Sequence, residues 1–418
     1  MSSFSIPLSG LEASSDALNV IANNLANLNT DGFKSQTLTF GDLFAQAQAV
    51  SGNGDPIQIG GGVQVGSTVS NFANGGVNST GIAANMALQG NGFFVVSNGT
   101  DTNYTRDGDF SLNSAGQIVD AQGNTVMGYQ ANAVGQIQAG GALAPISVNS
   151  SVTIPAQATS TFSTTTNLQA ASAAGTTFST PLSVVDSLGE TQNLTITYTA
   201  GATANNWNYT ITLPGAATGV ATPTTLTSGT MTFDSSGQLE STTPAETNGT
   251  ITGIKITGLV DGAADMNLTW NLNNAAGSPT ITQQNAASAT SGTNVNGYGS
   301  GTLTGFSVLS NGTVEGTFSN NQTLALGQVA VAGFANPEGL TQSNNGELQV
   351  TTASGAAVVG QAGVGGNGTI TGGAVEQSNV DLSTEFSNMI VAQQSYEASA
   401  KALTTLDQVS QATLQMIT

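Results

Sequence analysis

The feature that most constrains this chain is a helical heptad at each end with almost nothing helical between them. Near the start, Phe4, Leu8, Leu11, Ser15, Leu18, Ala22 and Leu25 recur in alternating steps of four and three. That spacing is the seam of a helix that packs on another helix. Pro7 falls in the first turn, where an amide hydrogen has no helical partner and its loss costs little. Near the other end, Leu382, Phe386, Met389, Gln393, Tyr396, Ala400, Leu403, Asp407, Ser410, Leu414 and Ile417 follow the same alternation. No Gly or Pro interrupts residues 382–418, so one long helix is expected, opened by Asp381 with Glu385 in its first turn. Two such helices predict coiled-coil-like packing, with each other or between copies.

The middle reads as β structure. GFFVVSNG (residues 92–99), LTITYTA (194–200), NYTITLP (208–214) and GIKITGL (253–259) are short runs of strand-forming residues bounded by Gly, Asn or Pro. FSLNSAGQIVDAQGNTVMGY (110–129) predicts successive hairpins with turns at residues 113–116 and 121–124. Residues 151–294 are richest in Thr and Ala and predict a domain inserted into the β domain on either side of it. No repeat of fixed length occurs, which argues against a solenoid or propeller. The expected fold is mainly β with helical ends and one β domain inserted in another.

Charge and chemistry remove most functions. Only 7% of residues are charged, the net charge is -20, and Lys and Arg together number 4. Nucleic acid and anionic membrane surfaces both call for clustered cations, so neither is an expected partner. No stretch approaches the eighteen or so apolar residues of a membrane-spanning helix. The first basic residue is Lys34, too late for the charged start of a cleaved signal peptide. Cys and His are both absent, which excludes disulfides, thiol nucleophiles, Cys/His zinc sites and His-based triads. A chain without cysteine suits passage through unfolded states to an oxidising exterior, and the small-residue composition by itself reads as a secreted-style β protein.

The remaining motifs are weak. No Lys follows a Gly, so there is no phosphate-binding P-loop. GVGGNG (363–368) matches a dinucleotide-binding glycine pattern, yet TITGG follows it instead of a helix. Asp101, Asp107 and Asp109 invite a calcium reading, but an EF-hand loop begun at Asp101 would place Arg106 where Gly is required. A hairpin with solvated carboxylates is the plainer expectation. No cofactor, metal or catalytic residue is predicted, and the chain is not expected to be an enzyme.

ANNLANLNTDGFK (22–34) closely resembles the N-terminal signature of the bacterial flagellar rod and hook protein family. ALQGNGFFVVSNG (87–99), YTRDGDFSLNSAGQIVDAQGNTVMGY (104–129) and the C-terminal segment 378–416 are similar to later segments of that family, in the same order. PLSVVDSLGETQNLTITYT (181–199) and VAVAGFANPEGLTQSNNGEL (329–348) resemble its hook branch, as does the large middle insertion. The resemblance implies a homopolymer subunit of a curved, flexible helical tube that joins motor to filament and transmits torque. It implies extracellular location at the hook of the basal body after type III export without a cleaved signal peptide. The implied partners are further copies, the distal rod, the hook cap, the hook–filament junction proteins and the export apparatus. Some relatives crosslink subunits through a cysteine-derived residue, a chemistry this chain lacks. A rod protein with an insertion, a secreted adhesin or carbohydrate-binding module, and a polysaccharide-cleaving enzyme are the alternatives.

On this reading the chain divides into a terminal helical domain (1–28 and 379–418) and extended connecting segments (29–70 and 365–378). A β-rich host domain (71–150 and 295–364) and the inserted outer domain (151–294) make up the rest. Leu8, Leu11, Leu18 and Leu25, with Leu382, Phe386, Met389, Tyr396, Leu403 and Leu414, are the expected assembly interface. Asn23, Asn24 and Asn27 would carry side-chain amides to neighbouring chains or backbone groups, because Asn is a poor helix former. Gly32 would permit a tight, left-handed turn out of the helix, and Phe33 would anchor the segment that follows. Lys34 is expected to be an exposed charge.

Overall fold

The computed structural model describes residues 4–43, 46–50, 56–343 and 346–417. It is mainly β with a helix near each end, as the alternation of residue types predicts. The chain divides into two compact units. One comprises the residues up to Ser150, Gly305–Thr317, and the chain from Thr323 onward; the other comprises Ser151–Thr304 and Phe318–Gln322.

The first unit holds both helices, α1 (Ser5–Ala26) and α2 (Leu382–Ile417). Asp381 caps α2: its Oδ1 accepts the Thr384 amide at 2.7 Å, which satisfies one of the donors a helix start leaves unpaired. The 36 residues of α2 run unbroken, consistent with the absence of Gly and Pro. After α1 the chain forms an antiparallel pair of Gln36–Asp42 with Val63–Ser70, from Gln36 opposite Ser70 to Asp42 opposite Val63, with one register shift between Leu38 and Phe40. Gln46–Val50 and Pro56–Ile59 pair as a second short antiparallel ribbon.

The β part of this unit is organised by Thr323–Gly333, whose neighbours include Phe93–Ser97, Thr125–Gln130 and Val358–Gln361. Phe93, Val95, Tyr104, Tyr129, Ala330 and Ala332 form its core, with Phe93 held edge-on between Phe72 and Phe334. The hairpin turn expected at 113–116 is present, with the Gly116 amide bonded to the Asn113 carbonyl. The next turn lies one residue earlier than expected. Asp120 takes the Asx position, accepting the Gln122 and Asn124 amides, so that Gly123 supplies the positive φ of +88°. GVGGNG links the strands Val358–Gln361 and Thr369–Gly372 and opens no helix.

The return strand matters most for the site. Thr369–Gly372 pairs with Met86–Gln89, and Ala374–Glu376 pairs with Val77–Ser79, before the chain enters α2.

The second unit contains two five-stranded sheets. One is an antiparallel meander from Thr177–Val185 to Leu239–Thr243; in the other, Thr161–Gln169 pairs in parallel with Met266–Asn271 and Ile281–Gln284. Strict alternation along Thr191–Ala200 and Asn206–Leu213 sends Leu194, Ile196, Tyr198, Trp207, Tyr209 and Ile211 inward. Trp270 lies at the centre, stacked on Phe162 and met edge-on by Tyr209.

Candidate functional site

The segments on either side of the helices meet at one buried carboxylate. Glu376 Oε1 accepts a hydrogen bond from Lys34 Nζ at 2.6 Å and from the Gly75 amide at 2.8 Å. Its Oε2 faces Arg106 Nη1 at 3.3 Å, and its main-chain carbonyl accepts the Gly32 amide at 2.7 Å. Relative exposures are 1% for Glu376, 4% for Arg106 and 8% for Lys34. Two of the four basic residues thus converge on one acid, and Lys34 is not the exposed charge its position suggested. Backbone takes further donors: Lys34 Nζ reaches the Ala73 carbonyl at 2.9 Å, and Arg106 Nη2 the Gly90 carbonyl at 2.7 Å, while the buried Arg106 Nε meets no acceptor among the described residues. The guanidinium also lies over the Phe93 ring, 5.2 Å from its centroid. Burial pulls the Lys34 ammonium below its usual range, against the pull of Glu376. Such a cluster holds only while complete, because removing one member strands a charge in a dry site.

A second polar joint surrounds it. Asn379 Oδ1 accepts the Ser35 amide at 2.7 Å, while its Nδ2 donates to the Asn71 and Ala73 carbonyls. Asn24, almost wholly buried, donates to the Gln36 carbonyl at 2.8 Å and accepts the Gln36 amide at 2.9 Å. Its Nδ2 also lies 3.1 Å from Glu385 Oε1 on α2. One Asn side chain therefore ties α1 to the hairpin and to α2. Asn27 bonds the Asn23 carbonyl and side chain and accepts Thr30 Oγ1, which closes the end of the helix locally. Asn23 itself stays exposed.

Gly32 has φ +69°. A Cβ there would come 2.5 Å from the Asp107 nitrogen and 2.6 Å from the Arg106 carbonyl carbon. The turn therefore needs glycine twice, for its dihedral and for the close approach of a second backbone. Phe33 is half-buried in the same cleft. Asp107 also departs from the sequence expectation. Asp101 and Asp109 are solvent-exposed, but the Asp107 carboxyl is pushed up to about 6, first by burial and then by Asp109, Asp31 and Asp120 around it.

The helices meet through a face that the heptads do not mark. Ala13, Ile21 and Asn24 are the buried residues of α1, and a Cβ on Gly10 would lie 3.0 Å from Ser399 Oγ. On α2, Glu385 and Ala392 are buried. The heptad residues lie elsewhere: Leu8, Leu382, Phe386, Tyr396 and Leu414 are exposed, while Leu11, Leu18, Leu25, Met389 and Leu403 are half-buried. The structure thus brings Asn24, Gly32 and Phe33 to one junction and leaves Leu8, Leu382, Phe386, Tyr396 and Leu414 exposed. Glu376, Arg106 and Asn379 were missed by sequence reasoning. The available signal was the scarcity of cations, which makes any Lys or Arg beside a turn a candidate for a buried pair.

Family models match along the chain in order. They are the flagella basal body rod protein (residues 6–34), the flagellar hook protein FlgE/F/G D1 domain (87–167), the flagellar basal body protein FlaE D2 domain (148–298) and the flagellar basal body rod FlgEFG protein C-terminal (371–416). The chain is 35% identical to the flagellar hook protein FlgE of Salmonella typhimurium, across 97% of this chain and 98% of that one. The chain belongs to the flagellar hook protein family. The hook proteins of Escherichia coli (35% identical, 97% of this chain and 98% of the relative) and Treponema pallidum (32%, 96% and 96%) are similar over the same span. This is a structural family, so the chain is a subunit of the flagellar hook and not an enzyme. The junction at Glu376 joins segments from three of the four family models, or lies directly beside them.

Replacing Gly32 with Val adds about 1–2 kcal/mol of left-handed backbone strain to the collision with the Asp107 backbone. Denaturant unfolding should show a loss of at least about 2 kcal/mol for Gly32→Val, whereas an unchanged midpoint would remove the turn from the account. Asp107 gives a pH test. Its raised folded value means the folded chain holds the proton more tightly than the unfolded one. That contribution is complete below about pH 4 and is lost as pH rises through about 6, up to about 3 kcal/mol in all. Asp107→Asn should therefore lose less stability than the parent chain between about pH 4 and pH 7; equal losses would contradict this assignment.

Proposed function

We propose that this chain polymerises into a curved, flexible helical tube and acts as a universal joint that carries motor torque to the filament. The observation that carries the reading is the division of labour on the two helices. Their intrachain contact is built mostly from small and polar residues, Gly10, Ala13 and Asn24 against Glu385, Ala392 and Ser399, with Ile21 the one large apolar side chain buried on α1. Six of their large apolar residues remain available: Leu8, Leu382, Phe386, Ile390, Val391 and Tyr396 are all exposed. A helix pair with such a surface is incomplete alone, since exposed apolar patches of this kind mark interaction sites. Burying each large side chain between copies would contribute about 1.5–3 kcal/mol.

On this reading the terminal helical domain (1–28 and 379–418) lines the tube. Segments 29–70 and 365–378 connect it to the host domain (71–150 and 295–364), and the insertion 151–294 lies outermost. The exposed heptad residues, with Asn23, are the assembly interface, while Asn24, Asn27, Gly32 and Phe33 hold the helix end within the subunit. The finer partners are the distal rod, the hook cap, the hook–filament junction proteins and the export apparatus, reached without a cleaved signal peptide.

The test is removal of residues 1–28 and 379–418. The truncated chain should be a soluble, β-rich monomer by circular dichroism and should form no tubes in electron micrographs, under conditions where the full chain does. Tubes from the truncated chain would overturn the role given to the helices.

A further inference from the structure

The two helices are unequal, 22 residues against 36, or about 33 and 54 Å at the standard helical rise. Their register is antiparallel and is set at two points, Gly10 beside Ser399 and Asn24 bonded to Glu385. Farther along, Ile6 and Pro7 share a cavity wall with Thr405 and Leu406. The described start of α1 is therefore used up near Leu406, and the last three turns of α2 run on past it. There every residue from Gln411 to Met416 is exposed, and Val409 and Met416 present 59% and 81% of their surface.

This overhang carries no charged side chain: after Asp407 the sequence QVSQATLQMIT contains no Asp, Glu, Lys or Arg. A chain of net charge -20 repels its copies, so close contact between them favours surfaces without charge. The same unit supplies a matching surface. An apolar groove follows α1 between α2 and the hairpin, formed by two cavities of about 570 and 1070 Å³ that share Gly10, Val63 and Ser399. Phe40, Val391 and Ile6 contribute to its walls. Its charged residues are Glu385, already bonded to Asn24, and Lys401 at the rim.

We infer that the overhang of α2 in one copy, free of charged side chains, lies in the α1–α2–hairpin groove of the next copy. This rests on the assembly reading and deepens it by naming which surface meets which. Overhang and groove are different surfaces of one chain, so the contact is head-to-tail and leaves a free groove at one end and a free overhang at the other. Such a contact propagates without closing, as an open helical polymer requires. A self-complementary contact between like surfaces would stop at a dimer.

The absence of cysteine makes the test clean. Thr37→Cys places a thiol on the groove and Met416→Cys places one on the overhang, each at an exposed position. In tubes grown from an equal mixture and oxidised, a Thr37–Met416 disulfide dimer should form in high yield, with little from either variant alone. A chain carrying both cysteines should give a ladder of multimers. Tubes that form without this linkage, or that link Met416 to Met416, overturn the pairing while leaving assembly intact. Failure of the unmodified full chain to form tubes overturns the assembly reading and the pairing with it. A second variant removes residues 408–418 and keeps the pairing of α1 with residues 382–407. It should add to one end of existing tubes and stop their growth, and normal elongation by this variant would also overturn the pairing.

Discussion

One buried carboxylate decides how the ends of this chain are held. Glu376 lies 342 residues from Lys34 and 270 from Arg106 along the chain, and it brings both cations and the backbone of Gly32 to one point. Desolvating three ionisable groups is expensive, and only mutual attraction with full hydrogen bonding offsets that cost. The geometry meets most of the requirement: backbone carbonyls at Ala73, Leu88 and Gly90 receive Lys34 Nζ and the two terminal nitrogens of Arg106, and Arg106 Nε is left without an acceptor among the described residues. Arg106 could not be exchanged for Lys without loss, since its planar fork serves carboxylate, carbonyls and the Phe93 face together.

From that point the rest of the helical end follows. The Gly32 turn can approach Arg106 and Asp107 only because it has no side chain. Glu376 ends the return strand, and Asn379, three residues on, ties the entry of α2 to Ser35 and Asn71. Asn24 and Glu385 then fix the two helices against each other within the first turns of α2. Small residues at the seam let the helices approach closely, and several bulky ones, Leu8, Leu382, Phe386 and Tyr396 among them, are left exposed. Polar joints inside the subunit and exposed apolar side chains on its helices suit a subunit that keeps its shape within a polymer.

Much of this was legible in the sequence, for physical reasons that also mark the limits. Helices and strands leave local periodicities, so α2, capped by Asp381 and free of Gly and Pro, was readable almost to the residue, and so was the alternation along residues 194–200. The positive-φ requirement of Gly32 was suggested by the Asn-Thr-Asp-Gly run. The packing face of the helices was not, because Gly10, Ala13 and Ser399 carry little hydropathy and the leucines beside them dominate the pattern. Lys34 was misjudged for a different reason. A charge looks solvated until its partner is known, and that partner lies at the far end of the chain. Asp107 likewise gave no local sign that its neighbours would be Asp31 and Asp120.

The most direct measurement is a double-mutant cycle on the Glu376 cluster, with Glu376→Gln, Lys34→Met and the pair compared by denaturant unfolding. The account predicts that Glu376→Gln alone costs about 3–5 kcal/mol, because two buried cations lose their anion. The double variant should recover part of that loss, with a coupling of about 0.5–3 kcal/mol. A single-variant loss under about 1 kcal/mol, or strictly additive losses, would contradict the claim that this carboxylate holds the junction together.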